Sequence, residues 1–165
     1  NVADAKLTIE RFSSLLRYQL YDPHQMVSLD QELQHLQNFI DLQRVRVSKK
    51  LQLEVHFEAG CDKYSMYPLL LLPLVENAFK YVGGKYRIQI EASVKNNFLF
   101  FKVTNSIPAQ IKKGGGIGLQ NLRRRLHLLY EGSHEFSARE NGDYFEAFLK
   151  LQLQIHEVHQ LHHHR

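Results

Sequence analysis

Residues 71–81, Leu-Leu-Pro-Leu-Val-Glu-Asn-Ala-Phe-Lys-Tyr, place a carboxylate, an amide and an amine on an otherwise apolar stretch. Each side chain has a distinct chemistry to offer. Asn77 can give a neutral carbonyl oxygen to a hard cation such as Mg²⁺, which takes oxygen ligands and keeps several waters and phosphate oxygens. Glu76 can bind a metal-bound water or act as a base. Lys80 lies three residues beyond Asn77, one helical turn along on the same side, and can meet a phosphate as a point charge. An ordinary amphipathic helix with a polar outer face would carry the same residues, so this stretch needs company before it means a site.

Two further segments supply it. Gly114-Gly115-Gly116-Ile117-Gly118-Leu119-Gln120-Asn121 is a glycine-rich loop running into an amphipathic helix. Glycines let backbone N–H groups approach an anion, and a helix N-terminus behind them adds free donors and a favourable dipole. Asn121, one turn in, can add a polar contact, and Lys112 and Lys113 can screen phosphate charge. Phe101-Lys102-Val103-Thr104-Asn105-Ser106 ends an apolar strand in polar residues, where Asn105 can hydrogen-bond a base edge or simply form a turn. A metal-and-phosphate helix, a phosphate loop and a polar strand end together describe the parts of a nucleotide-triphosphate site.

The elements that must position these residues follow from periodicity. Leu7, Phe12, Leu15 and Leu16 have roughly helical spacing over 5–20. Tyr21-Asp22-Pro23-His24 is a break. Ser28 reads as an N-cap completed by Gln31 in a capping box. Leu29, Leu33, Leu36, Ile40 and Val47 then define a strongly amphipathic helix suited to a helical hairpin or a dimer seam. Leu51, Leu53, Val55 and Phe57 alternate with polar residues as a half-buried strand. The pattern predicts a helix over 66–82, with Pro68 near its start and Gly83-Gly84 at its end. A hairpin follows across Asn96-Asn97, then a loop over 107–116 and a helix over 119–130. A second hairpin turns at Asn141-Gly142, and a polar tail begins near 154. The order implies an α+β sandwich, one mixed sheet with helices on one face, preceded by a truncated helical hairpin. The expected divisions are 1–47 for the helices, 48–153 for the α+β domain, and 154–165 for the tail.

The totals narrow the class. The chain has 165 residues, 44% hydrophobic and 23% charged, enough for one domain with a real core. The longest apolar run, Tyr67 to Val75, is too short for a membrane span and holds two prolines. One cysteine, Cys61, excludes an internal disulfide framework. A net charge of +4 with basic residues dispersed except at Arg123-Arg124-Arg125 argues against nucleic acid as a partner. His162-His163-His164 lie in the terminal tail without acidic company, a poor metal site. The start, Asn1-Val2-Ala3-Asp4, lacks an initiator Met and any signal-peptide pattern and runs at once into a helix, which suggests an excised piece of a longer protein.

In this order, the three chemical segments resemble the ATP-binding domain of the GHKL superfamily, and more closely the LytS-type sensor histidine kinases. Pro73 to Tyr81 matches that family's P-L-V-E-N-A-x-K-H except for the last residue. Gly116-Ile117-Gly118-Leu119-Gln120-Asn121, followed by Arg125-Leu126 and Tyr130, is similar to its G-I-G-L-x-N…R-L…Y block. Leu15 to Leu20, Leu29-x-x-Glu32-Leu33 and Phe39-Ile40-x-Leu42-x-x-x-Arg46 resemble the helices preceding the ATP domain. The resemblance covers about residues 5–151.

The resemblance implies a Bergerat-type pocket for ATP and Mg²⁺, in which Asn77 ligates the metal and Glu76 and Lys80 flank it as catalytic residues. Asn105 stands where many relatives carry the Asp that receives the adenine amino group. Gly116, Gly118, Leu119 and Asn121 line the phosphate side under a lid over roughly 106–115. It further implies a response regulator as partner, a homodimer in the full-length protein, and a membrane anchor supplied by segments outside this soluble fragment, with this domain on the cytoplasmic side of a bacterial inner membrane. Three departures stand out. The D-x-G-x-G box is replaced by Asn105-Ser106-Ile107. Pro73 occupies the place of the Glu in hydrolytic E-x-x-x-N ATPases. The family's P-H-F-L-F-N phosphoacceptor motif is absent, so the fragment alone is expected to bind nucleotide without phosphorylating itself. A degenerate nucleotide-binding or dimerisation module without kinase activity is the alternative.

Overall fold

The computed structural model describes residues 1–20, 22–58, 62–109 and 117–155, leaving out the side chains of 18, 19, 117 and 118. Helix α1 (Val2–Gln19) and helix α2 (Leu29–Arg46) pack together at the start of the chain. The two residues between α2 and the break form a short strand, β1 (Val27–Ser28). Ser28 caps α2 as its sequence predicts: its hydroxyl accepts from Gln31 N–H at 3.1 Å, and the Gln31 side chain accepts from Ser28 N–H at 3.2 Å. Leu29, Leu33, Leu36 and Ile40 on the same helix are buried. Helix α1 is less covered, since Ile9, Phe12 and Leu16 stay exposed.

The main sheet has five strands in the order β2-β4-β5-β7-β6. Strand β2 (Gln52–Phe57) runs parallel to β4 (Arg87–Lys95) at one edge. The remaining pairs, β4 with β5 (Phe98–Ser106), β5 with β7 (Tyr144–Gln152) and β7 with β6 (His134–Asn141), are antiparallel. The β4–β5 turn has positive φ at both asparagines (53° at Asn96, 64° at Asn97), the left-handed pair that two-residue hairpins favour. Side chains alternate with the pleat. Ile88, Ile90, Leu99, Phe101, Val103, Ala147, Leu149 and Leu151 point into one buried layer. Helix α3 (Leu72–Tyr81) and helix α4 (Ile117–Leu129) contribute Leu74, Val75, Ala78, Leu122 and Leu126 to that same layer. The core therefore lies between one sheet face and the helices, the α+β sandwich expected from the element order.

Two elements differ from the sequence reading. The helix expected over 66–82 begins only at Leu72. Tyr64–Met66 form strand β3, which pairs antiparallel with β1 and with β8 (Gln154–Ile155) in a separate three-stranded sheet. Leu69 then takes a left-handed φ of 63°, which no helix tolerates, and Pro73 rather than Pro68 sits in the first turn of α3. The local cause is an apolar run without polar punctuation, which helix and strand patterns both fit. Residues 154–155, read from the sequence as the start of a tail, complete this small sheet.

Candidate functional site: one face of α3 and the strand beneath it

Helix α3 packs against β5 on one side and α4 on the other. Its buried stripe, Leu72, Leu74, Val75 and Ala78, fixes its rotation, so Glu76 and Lys80 fall on the exposed side and Asn77 between the two. Lys80 Nζ sits 5.3 Å from the Tyr81 ring centre. Glu76 lines the end of an apolar groove of about 570 Å³ whose walls include Phe12, Leu16, Phe39 and Leu72. Desolvation there raises the Glu76 carboxyl above its ordinary range, so the group is shifted towards one able to hold or accept a proton.

Asn105 lies one strand away, in the row that faces the helices, between Ile88 of β4 and Phe145 of β7. It is 1% exposed, a polar side chain in an otherwise apolar row. Its Nδ2 donates to Ser106 O at 3.2 Å, which commits one end of the amide and leaves Oδ1 as the acceptor end. Ser106 is itself fully buried. Its hydroxyl donates to Gly83 O at 2.7 Å and accepts from Arg87 N–H at 2.8 Å, while its carbonyl accepts from Gly83 N–H at 2.9 Å. This serine ties the end of β5 to the turn that closes α3. The approach is tight: a Cβ on Gly83 would lie 2.7 Å from Pro108 Cγ.

Helix α4 starts at Ile117, with Gly118 and Leu119 in its first turn, so the N–H groups of this turn have no intrahelical acceptor. The Leu119 side chain is buried in the core; only its backbone can face a ligand. Asn121 is exposed. Gly116, together with Lys112, Lys113 and most of the expected lid, lies outside the described residues. Helix α3, which carries Asn77, thus packs against both β5, which carries Asn105, and α4.

A second polar cluster joins Glu32, Arg125 and Tyr130, which the sequence offers only as members of the family-like blocks and not as neighbours. Glu32 of α2 is fully buried, and its Oε1 accepts from Leu69 N–H at 2.9 Å. Arg125 of α4 donates from Nη1 to Leu69 O at 3.3 Å. Tyr130, at the end of α4, accepts from Tyr67 N–H at 2.9 Å and meets the Tyr67 ring edge-on at 5.7 Å. Burial pushes the Tyr130 phenol up to about 12. The signal was present in the periodicity: Glu32 and His35 fall on the same side of α2 as Leu29, Leu33 and Leu36, the side that must be buried.

Among the described residues, no group of three or more His, Cys, Asp or Glu could hold a metal ion. A single amide oxygen fits Mg²⁺ bound mainly by phosphates and water, and does not fit a cage built by protein alone.

The fold so defined is that of histidine kinase catalytic domains. It superposes on the catalytic domain of histidine kinase ThkA with a TM-score of 0.54, at 15% identity, over 78% of this chain and 95% of that one. It matches the Acinetobacter baumannii histidine kinase AdeS with a TM-score of 0.55, at 14% identity, over 88% of this chain and 75% of that one. In sequence, residues 1–51 match the histidine kinase family. The chain is 21% identical to the sensor histidine kinase BtsS of Escherichia coli over 154 residues, 89% of this chain and 28% of that protein. It is 29% identical to the sensor protein LytS of Streptococcus mutans over 136 residues, 70% of this chain and 23% of that protein. An uncharacterized sensor-like histidine kinase of Staphylococcus epidermidis is 31% identical over 91 residues, 55% of this chain and 18% of that protein. The chain thus resembles LytS-type sensor histidine kinases in sequence and histidine kinase catalytic domains in fold, and it spans less than a third of the length of these three curated relatives. No helix among the described residues is long and apolar enough to cross a membrane.

Proposed function

We propose that this chain is the ATP-binding, catalytic portion of a sensor histidine kinase, serving a histidine that precedes Asn1 in a longer protein. The observation that supports this reading is the packing of α3, which carries Asn77, against β5, which holds the buried Asn105, and against α4. Asn105 Oδ1 accepts from the exocyclic amine of adenine. The first-turn N–H groups of α4 and the preceding glycines bind phosphate oxygens, and Lys80 neutralises charge from the α3 side. Asn77 would hold Mg²⁺, which would supply charge neutralisation for the phosphoryl transfer. In the transfer itself, an imidazole nitrogen forms the new P–N bond as the bond from the γ-phosphorus to the bridging oxygen breaks. ADP leaves with that electron pair. Glu76, at the rim of the groove beside α1 and α2, takes or orients the imidazole proton. The phosphoryl group then passes to an Asp of a response regulator. The exposed apolar residues of α1 serve a homodimer in the parent protein, which is anchored to a membrane by segments outside this piece.

Titration of the chain with ADP, with and without Mg²⁺, tests the reading. Mg²⁺-dependent binding is expected, weakened about 10–100-fold in N77A, the range for loss of a metal-site residue. Absence of any Mg²⁺-dependent nucleotide binding by the unaltered chain would reject it. Incubation with labelled ATP should leave no stable phosphohistidine on this piece. A second reading, a nucleotide-binding module without transfer, is favoured by one observation: the amide in place of the family's Asp is already engaged by Ser106. Phosphotransfer by the parent protein separates the two.

A further inference from the structure

We infer that Glu32 and Arg125 are positioning residues: by gripping opposite ends of Leu69, they make the helical hairpin, the Asn77 helix and the helix behind the glycine loop move as one unit. The link to nucleotide binding rests on the function proposed above, whereas the mechanical linkage does not.

The grip is specific. Leu69 has a φ of 63°, a conformation that costs a non-glycine residue roughly 1–3 kcal/mol and persists only where the surroundings impose it. Here both of its backbone polar groups are held by side chains from different helices, Glu32 Oε1 on the N–H and Arg125 Nη1 on the carbonyl. The two holders carry opposite charge and attract one another across the peptide unit. Arg125 Nη2 is buried without a hydrogen bond among the described residues, so attraction to Glu32 is a principal reason for the cation to stay inside. Because both side chains hold the backbone of the same residue, Leu69, loss of either grip weakens the other.

The place is as telling as the contact. Leu69 lies two residues before Leu71, the N-cap of α3, which has no side chain capping it. The segment that Glu32 and Arg125 hold therefore leads directly into α3, whose rotation its own buried stripe fixes. Arg125 lies eight residues beyond the start of α4 at Ile117, the end that meets phosphate in the proposed site. A shift of α2 pulls on Leu69, and through it on Asn77 and on the α4 N-terminus. The helices match the histidine kinase family through residue 51, so Glu32 sits in the matching segment and Arg125 outside it.

Hydrogen exchange read by mass spectrometry on the whole chain tests this, with variants E32Q, R125M, R125K and the double variant E32Q/R125M. E32Q keeps an oxygen for Leu69 N–H but removes the charge; R125K keeps the charge and loses the planar donor set. E32Q, a change on α2, should raise exchange about tenfold in both 72–81 and 117–129, and R125M should do the same. The double variant should match the single ones, because coupled residues are not additive, and R125K should recover part of the protection. Exchange raised by E32Q only within α2, or by R125M only within α4, overturns the inference, as does a double variant whose effect is the sum of both. Should R125M fail to fold, E32Q and R125K decide by the same criterion. The same samples with Mg·ADP report on the parent reading: no ligand protection in the unaltered chain would reject the nucleotide site while leaving the linkage to stand or fall on the ligand-free data.

Discussion

Replacing Asn105 by Asp sets two opposing effects against each other, and the structure assigns each a size. In the ligand-free chain the change is unfavourable. Asn105 is 1% exposed, and its Nδ2 donates to Ser106 O at 3.2 Å. An oxygen there turns a hydrogen bond into two facing acceptors and buries a carboxylate among Ile88, Val103 and Phe145. Losing a buried partner in this way costs about 1–3 kcal/mol, and in a chain of this size each kcal/mol lowers Tm by about 2–4 °C. In the proposed complex, where residue 105 meets the adenine amine, the change is favourable, because a charge-assisted acceptor is worth roughly twice a neutral one. That difference, about 1 kcal/mol, amounts to roughly fivefold in affinity. The assay is a melt of the ligand-free protein, followed by titration with ADP and with inosine diphosphate, which lacks the exocyclic amine. N105D should melt several degrees lower, bind ADP more tightly, and show no gain for inosine diphosphate. N105A should lose affinity for ADP and lose preference between the two. If N105D and N105A leave the ratio of the two affinities unchanged, Asn105 does not meet the base edge. If N105D melts within about 1 °C of the original, the burial argument itself is wrong.

Two further predictions concern stability. His35 is 3% exposed on α2, and burial lowers its pKa from 6.5 to about 4. A folded pKa below the unfolded value means that the unfolded chain takes up the proton first. The contribution is therefore intact above pH 6.5 and lost as pH falls towards 4, by up to about 3 kcal/mol; urea midpoints between pH 7.5 and 4.5 should fall more steeply for the original chain than for H35Q. Gly84 and Gly142 have almost the same φ, +62° and +63°, but a Cβ on Gly84 would lie 2.8 Å from Ile107 O whereas Gly142 faces open space. G142A should cost about 1 kcal/mol from the left-handed backbone alone, and G84A measurably more, with equal melting temperatures for the two ruling out the contact between the α3 turn and the end of β5.

Much of the architecture was legible because its signals are local. The capping box at Ser28 and Gln31, the alternation from Leu51 to Phe57 and the asparagine pair between β4 and β5 each declare their geometry within a few residues. The failures have one physical origin. Strands β1, β3 and β8 are two or three residues long, too short for any period, and they exist because Ser28, Ser65 and Gln154 come together from distant parts of the chain. The late start of α3 belongs with them. Leu69 is left-handed because residues 37 positions before it and 56 after it hold its backbone, and no window on the sequence around Leu69 contains that information.

The candidate site divides along the same line. Asn77, Asn105 and the glycine loop were legible as chemistry because their residue types are unusual for the elements that carry them: an amide in an apolar helix, an amide ending an apolar strand, glycines opening a helix. What surrounds them was not. Ser106 reads as an ordinary turn residue, yet its hydroxyl and carbonyl hold both polar groups of Gly83. In the sequence Glu32 and Arg125 stand only within the blocks that resemble the family, with nothing local to say what they hold. Their burial follows only once the stripe on α2 is taken literally: a carboxylate at position 32 cannot escape a face that Leu29, Leu33 and Leu36 bury, so it must find a donor. One donor it meets is the N–H of Leu69, in the strained peptide before α3. A buried carboxylate in a helix that precedes a catalytic domain is therefore better read as an attachment than as an accident of composition, and its partner is to be sought in the domain that follows.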